Sequence, residues 1–443
     1  MGSWRISRRV GDAIGGLSPN AIAAFGFAAF VLYAYPGFMS TDSVNQLLEA
    51  RHIAFSDGNP PLMSAEWMVL DRIISGPLLM LLLQGALFLG GLNALLRHFL
   101  SPARAAWVAN AILLFPPVLA TMAVIWKDAQ MAAYLVAGIA AVLDRRRRVR
   151  VGGLVLLAVA CALRHNAVAA VLPVVIILFE WNPGMRLRRR LAIVGVVVVL
   201  TIGAVLAVSR GLATTHVRIT PMWNDIVGLI AYEDDLTDAE VREALPGVHL
   251  AIDHGLQVQA RLLVAMRHGW LVMIGPERFF EVPENEAEWS AATSAWLALI
   301  KAHPAAYFAY HGDVFLHLLG ADDDYLTGPV WNLFTESPQQ ATAIAHAASW
   351  SWLQHVVGFD VFYWLADHTP LFRPWIYAVI GLLLLITCCR DRVTFALLAS
   401  GLGYQLSYFP IPVEPDCRYS HWMITSVVTA AAILFVQRWR SRS

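Results

Sequence analysis

The sequence predicts an all-α polytopic membrane protein of about ten transmembrane helices, ten to twelve in all, with one extracytoplasmic, mostly helical segment. Three observations carry that expectation. The chain is 58% apolar with a mean hydropathy of +0.57. Only 14% of its residues are charged, against about 25% in an ordinary soluble domain. Its apolar residues gather into ten runs, and basic residues collect in every second connection between them, as the positive-inside rule requires of a membrane protein.

The first run follows Trp4, Arg5, Arg8 and Arg9 and ends in Tyr33-Ala34-Tyr35-Pro36-Gly37. No small-residue cleavage site closes it, so it reads as a retained first helix rather than a secretory signal. The ten runs fall near 20–37, 76–96, 105–125, 129–143, 151–163, 167–180, 191–209, 374–389, 393–409 and 422–436. Several are shorter than the ~20 residues that span about 30 Å of hydrocarbon, so tilt or local thinning is expected. An N-terminus inside the cell puts Arg97 and Arg104, then Arg145 to Arg148 with Arg150, then Arg186 with Arg188 to Arg190, in successive cytoplasmic loops. Arg390, Arg392, Arg438, Arg440 and Arg442 fall on the same side. The cytoplasmic segments then hold 19 basic and 4 acidic residues, against 13 and 28 elsewhere. Both termini are therefore expected in the cytoplasm.

Three parts follow. Residues 1–210 form an N-terminal transmembrane module of about seven helices with a first external loop at 38–75. Residues 211–373 form an external or interfacial helical domain, and 374–443 a C-terminal module of about three helices. Within the external part, Ala305 to Leu319 and Trp350 to Ala366 are apolar enough to lie on or partly enter the membrane, with Trp350, Trp352, Tyr363 and Trp364 as interface anchors. If both cross, the spans number twelve. There is no internal repeat of 20 to 50 residues. Zero formal net charge gives no basic field for nucleic acid. Of Cys161, Cys388, Cys389 and Cys417 only the last falls fully outside, so no structural disulfide is expected.

Sorted by side, the unusual polar groups at helix ends come out external. A charged side chain at a helix centre costs roughly 2.5–3.5 kcal/mol on insertion scales, so groups at such places need partners or a task. After the first run, Ser40-Thr41-Asp42-Ser43 leads into Gln46, a capping-box spacing from Ser43 to Gln46 that starts a short helix. Asp42 there is either a helix-terminus charge or a carboxylate able to take a proton or ligate a cation. Phe55-Ser56-Asp57-Gly58-Asn59-Pro60-Pro61 is turn chemistry ahead of a helix near Leu62; a functional Asp57 would share a cleft with Asp42. Trp126-Lys127-Asp128 fills a very short external connection and reads as an interfacial ion pair or a ligand site. Arg164-His165-Asn166 is almost the whole connection between two apolar runs, where an Arg either snorkels, pairs with Asp128, or awaits a phosphate. The loop Phe409 to Ser420 is stiffened by prolines and ends in Arg418-Tyr419, a cation and an aromatic wall at the mouth of the last helix.

Fourteen histidines invite a metal reading, but His249 with His254, and His311 with His317, lack the i,i+4 spacing of a two-ligand helical face and have no cysteine beside them. Solvated or structural roles are expected for them. No phosphate-cradling glycine loop, Walker motif or Gly-x-Ser-x-Gly elbow occurs, which disfavours a cytosolic nucleotide site.

The order of these motifs resembles bacterial GT-C superfamily membrane glycosyltransferases, and more narrowly an uncharacterised bacterial branch of them: an external Asp-Ser after the first helix, Ser-Asp-x-x-Pro, Lys-Asp, Arg-x-Asn, an external segment, then Asp-x-Arg-Tyr before the last helix. The resemblance spans nearly the whole chain and rests on motif order and shared sidedness. It implies a GT-C-like fold in a bacterial cytoplasmic (inner) membrane, a polyprenyl-phosphate-linked sugar donor, and an extracytoplasmic glycan, lipid or protein acceptor. Asp42 would be the essential acidic residue, accompanied by Asp57. Lys127, Arg164 and Arg418 would hold the donor phosphate, with Asp128, Asn166 and Tyr419 shaping the pocket. Asn59 departs from the His expected before the proline. Transfer is expected to invert the anomeric centre, and a divalent cation is a candidate cofactor with no ligand set assigned. The rival expectation is a transporter or flippase of lipid-linked or anionic substrates. Such proteins usually show repeated halves and ionisable groups at mid-depth, and this chain shows neither.

Overall fold

The computed structural model describes residues 17–56, 60–179, 185–215, 221–266, 278–322, 351–387, 391–411 and 416–440. They are overwhelmingly helical. In chain order the helices are α1 (Pro19–Ala34), α2 (Thr41–His52), α3 (Leu62–Asp71), α4 (Leu78–Leu96), α5 (Pro102–Leu113), α6 (Pro116–Met122), α7 (Lys127–Val142), α8 (Arg147–Leu163), α9 (Val168–Leu178) and α10 (Leu187–Leu212). Then come α11 (Met222–Tyr232), α12 (Asp238–Ala244), α13 (Leu256–Met266), α14 (Glu286–Ala302) and α15 (Pro304–Leu318). The series closes with α16 (Pro374–Thr387), α17 (Arg392–Leu406) and α18 (His421–Arg440). Two short parallel strands, β1 (Phe55–Ser56) and β2 (Ala213–Thr215), are the only paired strands among the described residues.

The chain forms two compact units. The first gathers residues 1–216, 327–405 and 417–443; the second holds 217–326 and 406–416. This grouping departs from the three-part division by sequence in two ways. Residues 351–372 go with the first unit, and residues 406–416, from the last residue of α17 onward, go with the second.

In the first unit, small residues let helices approach closely, as they do wherever lipid supplies no hydrophobic drive between helices. A Cβ on Gly91 of α4 would lie 2.7 Å from the Ala137 backbone nitrogen of α7, and one on Gly153 of α8 would lie 2.8 Å from that of Val142. Asn110 of α5 donates to the Ile22 carbonyl of α1 at 2.7 Å, a bond sequestered from water and so strong. Between α5 and α6 the chain bends by 73°. Pro116 and Pro117 cause it: proline has no N–H for the helical ladder and its ring clashes with the preceding turn.

Two helices among the described residues are both long and apolar enough to cross a membrane: α4, and the stretch Cys417–Arg438 that contains most of α18. A third is added if α5 and α6 count as one bent span. This is fewer than the ten spans expected. Each of the other apolar runs contains a helix, but α1, the stretch His165–Leu178 and α16 are shorter than the test of length requires. Hydropathy reports composition, whereas helix length is set by prolines and caps. Ser18 caps α1 just before Pro19, for example, and α16 starts at Pro374.

The second unit has its own apolar core, centred on Trp223, Ile226 and Ile230 of α11 with Phe279 and Phe280. Trp223 packs tilted on Phe280 at 4.6 Å and edge-on to Trp289 of α14 at 5.9 Å, geometries that suit aromatic quadrupoles. A Thr237–Glu240 capping box starts α12. Ala306 and Tyr310 of α15 are buried in this unit, while Phe308 and Leu316 of the same helix are exposed, so one side of the apolar stretch Ala305 to Leu319 packs on protein and another stays open. His311 Nδ1 lies 2.8 Å from the Phe409 carbonyl oxygen, which ties the post-α17 loop to α15.

Candidate functional site

The site lies in the first unit and is built on the start of α2. That helix begins at Thr41, capped by Ser40, whose Oγ accepts from the Ser43 amide at 3.4 Å while Ser43 Oγ accepts from the Ser40 amide at 3.1 Å. The box is therefore Ser40–Ser43, three residues earlier than the spacing of Ser43 and Gln46 suggested; Gln46 is instead buried in the helix. Repeated serines made both registers plausible, and the contacts decide between them. Ser43 Oγ also donates to the Ile125 carbonyl at 2.7 Å, and Trp126 Nε1 donates to Ser40 Oγ at 2.6 Å. A short parallel bridge, with Phe38 N to Ala123 O at 2.9 Å and Ile125 N to Phe38 O at 2.8 Å, locks the two connections side by side. The result places Asp42, in the first turn of α2, beside the Trp126-Lys127-Asp128 start of α7.

Arg418 and Tyr419 join them from the short 3₁₀ turn ahead of α18. Arg418 Nη1 donates to Asp42 Oδ2 at 2.8 Å. The guanidinium carbon lies 4.8 Å from the centre of the Trp126 ring and 5.0 Å from that of Tyr419, and Nη2 donates to the Tyr419 hydroxyl at 3.1 Å. Arg164 follows α8 in extended conformation, which ends the helix and frees its side chain from the helical face. Its Nε lies 3.0 Å from Asp128 Oδ1, and its guanidinium carbon stands 4.8 Å from the centre of the same Tyr419 ring. One aromatic ring thus serves two guanidinium groups. Tyr404 of α17, fully buried, directs its hydroxyl to Asp128 Oδ1 at 3.4 Å.

The pairs differ in access. Asp128 is sealed, with 1% of its side chain exposed, whereas Asp42 keeps 34% exposed. Partial burial pushes the Asp42 pKa up, but Arg418 first, then Lys127 and Arg164, outweigh it and hold the carboxyl below the ordinary carboxylate value. Lys127 is therefore within electrostatic reach of this centre. Among the described residues three cations, Lys127, Arg164 and Arg418, face two carboxylates, Asp42 and Asp128, so that group carries one positive charge in excess. A part-buried, net-positive cluster with planar guanidinium donors is suited to an anion such as a phosphate ester.

Of the residues singled out by sequence, Asp42, Lys127, Asp128, Arg164, Arg418 and Tyr419 are brought together. Asn166 follows two residues after Arg164 in the 3₁₀ turn His165–Ala167 and is half-buried. Asp57 and Asn59 lie outside the described residues. Sequence reasoning treated Trp126 only as an interface anchor and passed over Ser40 and Tyr404. Trp126 was detectable by its position beside Lys-Asp, but Tyr404 sits in an apolar run where nothing marks it. Among the described residues no group of three or more His, Cys, Asp or Glu is arranged to hold a metal ion. The histidines of the second unit instead face carboxylates, among them His303 with Glu233 at 2.8 Å and His317 with Asp322. Cys161 and Cys417 are buried, and Cys388 and Cys389 lie outside the described residues.

No family model, no curated protein and no solved structure matches this chain.

Proposed function

We propose that this protein is a membrane glycosyltransferase of the GT-C type that moves a sugar from a polyprenyl-phosphate-linked donor to an extracytoplasmic acceptor. The observation that carries the reading is the pairing of Asp42 with Arg418 inside a cluster of excess positive charge, assembled from four separate chain segments that all end at one side of the sequence-derived topology. A transporter of anionic substrates has no need of a solvent-accessible carboxylate at the same point.

In the reaction, Lys127, Arg164 and Arg418 hold the donor phosphate, and Asp42 accepts the proton of an acceptor hydroxyl. The acceptor oxygen forms its bond to the anomeric carbon from the face opposite the phosphate. The bond from that carbon to the phosphate oxygen breaks, its electron pair staying with the departing polyprenyl phosphate, and the anomeric centre inverts. Fixed cations beside the leaving oxygen stabilise charge as it develops, at no reorganisation cost. Asp128 and Tyr404 orient Arg164. The membrane reading extends to the shorter apolar helices, which cross by tilting or by thinning the bilayer locally, with both termini on the cytoplasmic side of a bacterial inner membrane and the cluster on the other.

The test uses the full-length protein in lipid nanodiscs with a panel of polyprenyl-phosphate sugars and acceptors. One donor is expected to be consumed by the wild type. Asp42→Asn should bind that donor yet transfer at a rate lower by about 10²–10⁴, the usual contribution of a general base. Arg164→Ala should weaken donor binding. Folded Asp42→Asn protein that transfers at the normal rate rules out the role of Asp42, and a wild type that binds no lipid-linked sugar rules out the glycosyltransferase reading.

A further inference from the structure

The Asp42–Arg418 contact sets two roles against each other. A base needs an available carboxylate oxygen and a phosphate clamp needs available N–H groups, yet these two side chains are 2.8 Å apart and neutralise one another. The contact is not sealed in the manner of a structural pair, because a third of the Asp42 side chain remains exposed. Arg418 has other anchors, its guanidinium carbon lying 4.8 Å from the centre of the Trp126 ring and 5.0 Å from that of Tyr419, with Nη2 donating to the Tyr419 hydroxyl. These contacts are made without Asp42.

Arg164 stacks on the same Tyr419 ring. Two guanidinium groups gathered on one ring repel each other unless anions lie close by, and among the described residues Asp128 pairs with Arg164 and Asp42 with Arg418. Of the two carboxylates, only Asp42 is accessible to a competitor. A phosphate ester brings several acceptor oxygens to a planar guanidinium and competes well with a single carboxylate oxygen.

We propose that the Asp42–Arg418 ion pair is a latch opened by the donor: the donor phosphate takes over Arg418, and the released Asp42 carboxylate becomes the base for the acceptor hydroxyl. The proposal rests on the phosphate-binding reading of the cluster and adds an order to it, donor before acceptor. Its energetic basis is the balance at Asp42. Burial works to raise the pKa of this carboxyl, and Arg418 heads the groups that lower it. Neutralising Arg418 with phosphate removes the chief counterweight, so Asp42 gains basicity at the moment a donor is present.

The experiment measures binding of farnesyl monophosphate, which carries no sugar, to full-length protein in nanodiscs by calorimetry, with inorganic phosphate as a parallel ligand. Asp42→Asn keeps the shape of the side chain and removes the competing charge. It is expected to bind farnesyl monophosphate about tenfold more tightly than wild type, the equivalent of about 1.4 kcal/mol. In the double variant Asp42→Asn with Arg418→Gln, that gain should vanish. If inorganic phosphate shows the same gain, the anion alone opens the latch; if only the prenyl ester does, its tail supplies the affinity, and either result supports the proposal. Wild-type binding with an unchanged or weaker affinity in folded Asp42→Asn protein overturns the latch while leaving the phosphate site standing. Absence of binding in every variant, with melting curves showing folded protein, overturns both.

Discussion

Each unit of the molecule holds a carboxylate against a basic side chain with an indole close by, and the two arrangements differ in what they leave open. In the second unit Asp225 Oδ2 accepts from Trp296 Nε1 at 2.9 Å and Oδ1 lies 3.2 Å from His311 Nε2, with the Asp225 and His311 side chains 2% and 0% exposed. In the first, Asp42 meets Arg418 beside the indole of Trp126 and stays a third exposed. Asp225 joins α11 to α14 through the Trp296 indole and faces His311 of α15 inside the protein. Asp42 joins far less, since the serines around it already hold α2 to residues 125–126. Accessibility, more than the type of partner, separates a carboxylate that holds a fold from one placed to act on a ligand.

The largest consequence falls in the second unit. Asp225→Ala leaves the Trp296 indole N–H without its acceptor and removes the carboxylate that lies 3.2 Å from the buried His311, and a buried polar group without a partner costs roughly 1–3 kcal/mol. A loss of about 1–3 kcal/mol is expected, read as a lower denaturation midpoint and faster proteolysis of residues in 217–326. Asp42→Asn should cost about 1 kcal/mol or less, because a part-exposed ion pair is screened by solvent. Equal losses at the two positions would break the comparison.

A smaller effect sharpens it through pH. The Asp42 carboxyl lies below its ordinary value in the folded protein, so its contribution to stability is present above the unfolded pKa, about 3.9, and is lost as pH falls through the folded value. The wild type should therefore be more stable than Asp42→Asn at neutral pH and should converge with it as the solution is acidified below about pH 4. Melting curves of the two proteins across that range provide the check. A gap that widened on acidification would mean that Asp42 is held protonated rather than ionised.

How far the sequence revealed this arrangement follows from the cost of each side chain in its place. Asp42, Lys127, Arg164 and Arg418 were legible because ionisable groups at the ends of apolar runs are expensive without partners. Their partners were less so. The Arg164–Asp128 pair was among the alternatives weighed, but nothing in sequence links Asp42 to Arg418, 376 positions apart. The capping box was misplaced because Ser40 and Ser43 offer the same chemistry. Apolar runs were visible and helix lengths were not, since Pro116 interrupts the run 105–125 that hydropathy treats as smooth.

Tyr404 gives the finest test, since it is the residue of the cluster that composition hides most completely. Its hydroxyl reaches Asp128 Oδ1 at 3.4 Å, longer than the usual 2.7–2.8 Å for O–H···O, so the bond is weak and Tyr404→Phe should lower stability by about 1 kcal/mol or less. The same oxygen of Asp128 meets Arg164 Nε. Removing one donor from it leaves Arg164 as its neighbour and tightens that pair, which draws the guanidinium away from an incoming phosphate. Tyr404→Phe is therefore expected to weaken farnesyl monophosphate binding by a few-fold, about 0.5–1 kcal/mol, while the Asp42→Asn gain persists in the double variant because that pair is separate. If Tyr404→Phe instead abolishes the gain, the Asp128 and Asp42 halves of the cluster are one coupled network, and the distinction between a sealed and an open carboxylate fails within the first unit itself.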